Sequence, residues 1–316
     1  MYIGWGEGCV IQVGGDENGD GIIEKNARKL VGVLPQTTRR RLIALYKSTR
    51  LVLDGGVVLA LWYPGTNWGD ALNPVLIQEI SGKKPLFATQ DISNIRKCPV
   101  YSVIGSVLEH ASPENCGNGN LVVWGTGFLS ERGRLRVRPR EICAVRGPLT
   151  RELLLRQGFS CPEVYGDPAL LYPEYYRPKL PKRYQLGIIP HYVDKNHRYL
   201  QNFQDDPGVL VIDIQGGIRD VVDQICRCRH IASSSLHGII ASDAYRIPST
   251  WVRFSDGVAG KGFKFNDYFS SVGREEEGPY AIEENTSVDD LLDICSPDIP
   301  DPDLKALREA CPFRKN

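Results

Sequence analysis

His237 stands in a run, Ile231-Ala232-Ser233-Ser234-Ser235-Leu236-His237-Gly238, that closes one apolar segment and opens another. Ile231 and Ala232 end a strand-like stretch. Ile239, Ile240, Ala241 and Ala244 then recur as the buried face of a helix. A strand that passes through small hydroxyl residues into a helix leaves free backbone N–H groups at the turn. Those groups and the helix dipole attract an anion, most readily a phosphate. His237, in the first turn of that helix, sets a titratable imidazole beside the anion. Proton transfer next to a phosphate is the chemistry this spacing offers.

Three other clusters gather polar side chains where apolar runs end, the place at which open α/β sheets bind ligands. In Asn67-Trp68-Gly69-Asp70-Ala71-Leu72-Asn73-Pro74, Asn67 or Asp70 suits a helix cap and Pro74 a first turn. A cap alone does not explain this gathering, so Asn67, Asp70 and Asn73 are candidates to meet a ligand. In Val145-Arg146-Gly147-Pro148, Arg146 leaves a strand just ahead of a helix start. Its guanidinium either holds a carboxylate or phosphate through two parallel N–H bonds or forms a structural salt bridge. In Ile189-Pro190-His191, His191 either lines a cleft or is a satisfied structural histidine. His110, His197 and His230 lack such a placement and are assigned no role.

The elements that must position these groups repeat as strand, loop and helix. Residues 57–63 form a continuous apolar run, as expected of a strand covered on both faces, and an amphipathic helix over 70–80 follows. Short strands are expected at 100–104, 121–124, 142–145 and 163–165, with a helix over 148–157 opened by Pro148 and closed by Gly158. Residues 172–182, rich in proline, tyrosine and charge, read as a linker. A second series lies beyond it, with strands at 186–189, 209–212, 230–232 and 250–252 and helices over 220–229 and 288–294. Such alternation predicts an α/β protein with parallel sheets. Two series imply two Rossmann-type domains facing a central cleft, over 1–178 and 179–316. The first fifty residues stand apart, glycine-rich and then basic at Arg39-Arg40-Arg41. Asp16, Asn18, Asp20 and Gly21 imitate the start of a calcium loop, but its twelfth position is Ala27, so a glycine-rich surface turn is the better reading.

Composition removes several function classes. The 38 basic residues are balanced by 38 acidic ones, which leaves no overall field to draw in nucleic acid or an anionic membrane. The apolar run at 57–63 is too short to cross a bilayer. No basic region followed by an apolar run marks the N-terminus, so a cytoplasmic protein is expected. Nine cysteines without a CxxC pair read as reduced thiols. Cys226, Cys228 and His230 lack the fourth ligand that structural zinc needs, and no metal is expected. Arg132, Arg134, Arg136, Arg138 and Arg140 alternate with other residues, which puts all five on one face of an extended segment. That face is either a solvated edge strand or a docking surface for a polyanionic or diphosphate-bearing acceptor.

In this order the motifs resemble the polysaccharide pyruvyltransferase family. The likeness is carried by the cluster at 67–74, Arg146-Gly147-Pro148, Gly166-Asp167-Pro168, Pro190-His191, the run from Ser233 to Gly238, and Lys264-Phe265-Asn266-Asp267-Tyr268. It implies a GT-B-like pair of Rossmann-type domains, with the acceptor on the N-terminal side and the donor on the C-terminal side. It also implies transfer of pyruvate from phosphoenolpyruvate, with no further cofactor, to a sugar of an exopolysaccharide or capsular polysaccharide, or to its lipid-linked precursor, as a ketal. A lipid-linked acceptor would bring the enzyme to the inner membrane face without an anchor of its own. Where some members carry an arginine before the Leu-His pair, this chain has Ser235.

Phosphoenolpyruvate carries one carboxylate and one phosphate. With Ser235 in the arginine position, Arg146 is the main candidate for the carboxylate and Lys264 its assistant. The turn Ser233, Ser234, Ser235 and Leu236 suits the phosphate. Attack of a sugar hydroxyl on the donor's central carbon needs a proton delivered to its methylene carbon, for which His237 is the candidate acid. The hydroxyl must lose its proton, for which Asp70 is the candidate base. Asn67, Asn73 and His191 are left to the acceptor or the cleft wall. Two other readings fit the same architecture. One is a metal-independent nucleotide-sugar glycosyltransferase, since a helix-turn phosphate site serves a sugar nucleotide equally well. The other is a non-catalytic carbohydrate-binding protein.

Overall fold

The computed structural model describes residues 2–5, 9–12, 56–88, 98–275, 278–295 and 299–314. The chain divides into two units, Met1–Leu53 and Asp54–Asn316. In the first, β1 (Tyr2–Trp5) and β2 (Cys9–Gln12) pair antiparallel. The calcium-loop mimic at Asp16–Ala27 and the basic run at Arg39–Arg41 lie outside the described residues.

The second unit holds two five-stranded sheets, each parallel throughout. The first contains β3 (Val57–Leu61), β4 (Lys84–Phe87), β5 (Val100–Ser102), β6 (Leu121–Trp124) and β7 (Glu141–Ala144), in the order β4-β3-β5-β6-β7. The second contains β8 (Tyr184–Ile189), β9 (Val209–Val211), β10 (Cys228–Ser233), β11 (Ser249–Arg253) and β12 (Tyr280–Ala281), in the order β9-β8-β10-β11-β12. Counted within each half, both sheets read 2-1-3-4-5. That order has its topological switch between the first and third strands, and ligands bind outside the carboxyl ends of the strands there. The two Rossmann-type halves expected from the alternation are therefore present, with the same winding.

Helix α1 (Trp68–Ser81) starts earlier than its amphipathic stretch suggests and carries Pro74 in its interior. A proline has no N–H for the carbonyl four residues back. Asn73 Nδ2 takes that place on the Asp70 carbonyl at 3.2 Å and also reaches Ile104 O at 3.3 Å, while Asn73 Oδ1 accepts from Ile104 N at 3.0 Å. The break in the helix is thus repaired by a side chain that also ties α1 to the end of β5.

The other helices are α2 (Pro148–Arg156), α3 (Gln201–Gln204), α4 (Ile218–Arg227), α5 (Leu236–Ala244), α6 (Phe263–Ser271), α7 (Val288–Asp293) and α8 (Lys305–Glu309). The strand expected at 163–165 shrinks to one bridge, Val145 with Tyr165, because Asp167 and Pro168 at once begin a 3-10 helix over Pro168–Glu174. The linker reading of 172–182 holds only in part. Tyr172 and Pro173 are buried, and Tyr176 Oη donates to Asp223 at 2.6 Å. Aromatic rings can join a core without helical or strand periodicity.

One hydrophobic core runs through both halves, joining Trp68, Ile77 and Trp124 to Ile189, Ile239 and Phe265. Trp68 is fully buried; its backbone N–H donates to Ile214 O at 2.9 Å and its indole N–H to Ile218 O at 3.1 Å. The first turn of α1 is thereby fixed to the second half. Helix α8 returns to the first half, where Leu307 O accepts from the Trp124 indole at 2.8 Å.

The arginines from 132 to 140 do project outward, with Leu135 and Val137 buried between them. The segment is not an edge strand. Two of its backbone N–H groups are satisfied by side chains instead, Leu135 N by Gln157 Oε1 and Arg138 N by Asn118 Oδ1. Among the described residues no helix is long and apolar enough to cross a membrane. The eight cysteines from Cys98 onward are unpaired thiols.

Candidate active site

The carboxyl ends of β3, β5, β8 and β10, the strands that flank the two switch points, open on one cleft of about 220 Å³. Tyr63, Asn67 and Asp70 follow β3, and Ser106, Val107 and His110 follow β5. His191, Tyr192 and Val193 follow β8, and Ser235, Leu236 and His237 follow β10. Lys264 of α6 and three loop residues, Leu129, Gly257 and Ala259, complete the lining.

Two helix starts meet at the cleft floor. A Cβ built on Gly69 would stand 2.2 Å from Cδ2 of His237, so only glycine lets the first turn of α1 lie against the imidazole. Ser235 caps α5 by position, but its hydroxyl makes no capping bond and is buried without a partner. His237 Nε2 and Asn67 Oδ1 are likewise buried and unpartnered. Buried polar atoms are rarely left unpaired, and such groups gathered in a cleft call for a ligand.

Burial sets the charges. His237 is driven down to about 3, first by burial and then by the positive charge of Lys264, so it is neutral at pH 7. His191 falls to about 4 for the same two reasons. Asp70 rises to about 7 because burial penalises its carboxylate; Lys264 opposes the rise, and Asp167 behind it adds a like charge. Lys264 is lowered to about 8 by burial and Arg146. Its ammonium has no hydrogen-bond acceptor or ion-pair partner among the described residues, although its side chain is only 8 % exposed. At neutral pH these four groups therefore stand as one cation, two neutral imidazoles and a carboxyl near its midpoint. That balance suits an anionic ligand with proton-transfer groups at its side.

The cleft brings together seven of the residues expected from sequence: His237, Asp70, Ser235, Leu236, Lys264, Asn67 and His191. Four others lie behind it. Arg146 is fully buried, with Nε donating to Asp267 at 2.9 Å, one terminal nitrogen to Ser106 Oγ at 2.6 Å and the other to Phe128 O at 2.6 Å. Of the two roles open to it, the structure displays the salt bridge. Asn73 is spent on the α1–β5 clamp. Ser233 Oγ accepts from Ser235 N at 3.0 Å and donates within the turn, which holds the turn in shape. Ser234 Oγ accepts from His191 N at 2.8 Å and so fixes the β8 end.

Sequence reasoning passed over Ser106, His110, Tyr63 and Tyr192. Their signal was position alone, since each follows a strand beside a switch point. It also gave no role to Asp267, which accepts from Arg146 and from both Thr150 N (2.8 Å) and Thr150 Oγ1 (2.7 Å).

A family model described as polysaccharide pyruvyl transferase matches residues 117–256. Its span takes in Arg146, Asp167, His191 and the run from Ser233 to His237. The chain is 33% identical over 248 residues to uncharacterized protein L143 of Acanthamoeba polyphaga mimivirus, a match covering 74% of this chain and 82% of that protein. It is 28% identical over 173 residues to the succinoglycan biosynthesis protein ExoV of Rhizobium meliloti (strain 1021), across 54% of this chain and 52% of that one.

Proposed function

This chain belongs to the polysaccharide pyruvyl transferase family, and on that premise we propose that it moves pyruvate from phosphoenolpyruvate to a sugar of an exopolysaccharide or capsular polysaccharide, or of its lipid-linked precursor. The observation that carries this reading is the Lys264 ammonium, which has no acceptor or ion-pair partner among the described residues and lines the same cleft as the orphan Ser235 hydroxyl at the start of α5. Helix starts bind phosphate, and a lone ammonium supplies a counter-charge for a carboxylate. The cleft, at about 220 Å³, is smaller than the ~300–1,000 Å³ usual for drug-sized ligands. No metal or further cofactor enters this scheme.

The donor phosphate sits against the α5 start and Ser235, and the carboxylate against Lys264. Arg146 takes a positioning role, holding Ser106 and, through Asp267, α6. The donor's negative charge offsets the field of Lys264 and raises both neighbours. Asp70, already near 7, is then held protonated and delivers its proton to the methylene carbon. His237, neutral and rising toward the range of a general base, accepts the proton of the attacking hydroxyl. This exchanges the roles expected from sequence. Oxygen bonds to the central carbon as the methylene becomes a methyl group. A second hydroxyl of the same sugar then gives its proton to the Asp70 carboxylate and displaces phosphate, which leaves with the proton held by His237, and the cyclic ketal closes.

The test is to supply phosphoenolpyruvate with repeat-unit oligosaccharides. The expected products are inorganic phosphate and a sugar carrying an acid-labile pyruvyl group. Glycosyl transfer from a nucleotide sugar, with no phosphate released from phosphoenolpyruvate, would overturn the reading. The proposed reaction takes place in the cytoplasm, and at the inner membrane face when the acceptor is lipid-linked.

A further inference from the structure

Six large hydrophobic side chains are exposed among the described residues, and three of them, Tyr63, Tyr192 and Val193, stand on this one cleft. Tyr63 is 48 % exposed and Tyr192 40 %. The two tyrosines come from opposite halves of the unit but from equivalent places, just beyond β3 and just beyond β8, each strand being the first of its half.

Each ring has a close neighbour. A Cβ on Gly65 would lie 2.9 Å from Cδ1 of Tyr63 and 3.6 Å from Oδ2 of Asp70, so one point beside Gly65 touches both the ring and the carboxyl group. The Tyr192 ring lies against that of His191, tilted by 34° with centroids 4.2 Å apart. The His110 ring lies 6.1 Å from that of Tyr63. Tyr63, Asp70 and Tyr192 line the same cleft, which places the three groups around one space.

Apolar surface left exposed at a cleft marks a binding site. The small trianionic donor offers no apolar face, and its counter-charge lies with Lys264 and the start of α5. A pyranose offers the missing complement, a face of C–H groups and a rim of hydroxyls. Asn67, Ser106 and His110 present hydrogen-bonding groups for that rim. We propose that Tyr63 and Tyr192 form the acceptor subsite, a two-ring clamp that seats one pyranose with its C–H face on the phenol rings and its hydroxyls toward Asp70 and His237. The assignment rests on the pyruvyl-transfer reading and adds to it the residues that select the acceptor.

The test uses the full chain with methyl β-glucopyranoside and methyl β-galactopyranoside as probes, followed by saturation-transfer NMR, with phosphoenolpyruvate titrated separately by calorimetry. At least one pyranoside is expected to bind with saturation strongest at its ring C–H protons. Tyr63→Ala and Tyr192→Ala should each weaken that binding about 2- to 10-fold, the usual scale of an aromatic contact, and the double variant should lose it. Tyr63→Phe and Tyr192→Phe should keep it, and phosphoenolpyruvate affinity should stay constant in all of them. Pyranoside binding unchanged in the double alanine variant overturns the clamp, as does failure of both probes on a chain that binds phosphoenolpyruvate. Pyranoside binding that behaves as expected on a chain that ignores phosphoenolpyruvate would leave the clamp standing and sink the donor reading alone.

Discussion

At the scale of single residues, one physical cause shifts Asp70 and His237 in opposite directions. Burial penalises charge, so the carboxyl rises to about 7 and the imidazole falls to about 3. Productive donor binding needs Asp70 protonated and Lys264 charged. The kcat/KM for phosphoenolpyruvate is therefore expected to fall as pH rises through about 7 and again through about 8. A pH–rate series checks this, and a rise through pH 7 would restore Asp70 to the role of base. Stability follows the same sign. The folded state binds the Asp70 proton more tightly than the unfolded chain, whose carboxyl titrates at 3.8, so stability present at low pH is lost as pH climbs from 3.8 through about 7. That gap corresponds to ~4 kcal/mol. Asp70→Asn should accordingly gain about 2–4 kcal/mol at pH 8 and little at pH 4 in urea unfolding, while losing turnover. His237→Ala should lower turnover by about 10²–10⁴ and change donor affinity only a few-fold, since the start of α5 and Lys264 remain. His237, Asp70 and Lys264 were legible in the sequence because each lies beside a strand end or within a recognisable motif. Arg146, Asn73, Ser233 and Ser234 share that placement, yet they satisfy internal partners rather than the cleft. The Arg146–Asp267 pair spans 121 positions and the Asn73–Ile104 pair 31, distances that residue type and local spacing do not reveal.

At the scale of elements, α1, α5 and α6 bring the site together. Trp68 anchors α1 to the second half, and Asp267 on α6 grips both Arg146 and the first turn of α2. The Arg146–Asp267 pair is wholly buried. Removing one partner of such a pair strands a charge and costs about 3–5 kcal/mol. Asp267→Ala is expected to lose that much in chemical denaturation, whereas a loss under about 1 kcal/mol would show that the pair is not the joint described. Helices α1, α2 and α5 announce themselves through caps, apolar spacing and breakers. Helix α6 does not: Phe265, Tyr268, Phe269 and Val272 keep helical spacing, but the helix is only nine residues long and opens after a glycine-rich turn with no capping side chain. The arginine face at 132–140 shows the converse. Its period of two is plain in sequence and present in the structure, but whether the backbone joins a sheet depends on Gln157 and Asn118, which that period does not encode.

At the scale of the whole molecule, two halves with the same strand order place their switch points on one shared cleft. Alternation in the sequence reveals both halves but not their register, and it hides the continuous core that joins them through Trp68 and Tyr172. Nor does a net charge of zero disclose that the cleft itself is locally cationic. That local charge is the central claim, and calorimetric titration of phosphoenolpyruvate into the full chain near pH 6.5 tests it most directly. The account predicts one bound donor per chain, displacement by inorganic phosphate, no binding of UDP-glucose, and affinity lowered at least ~10-fold by Lys264→Met, the scale of one lost charge-assisted contact of about 1.4 kcal/mol or more. Affinity untouched by Lys264→Met, or binding of UDP-glucose in place of phosphoenolpyruvate, would contradict it.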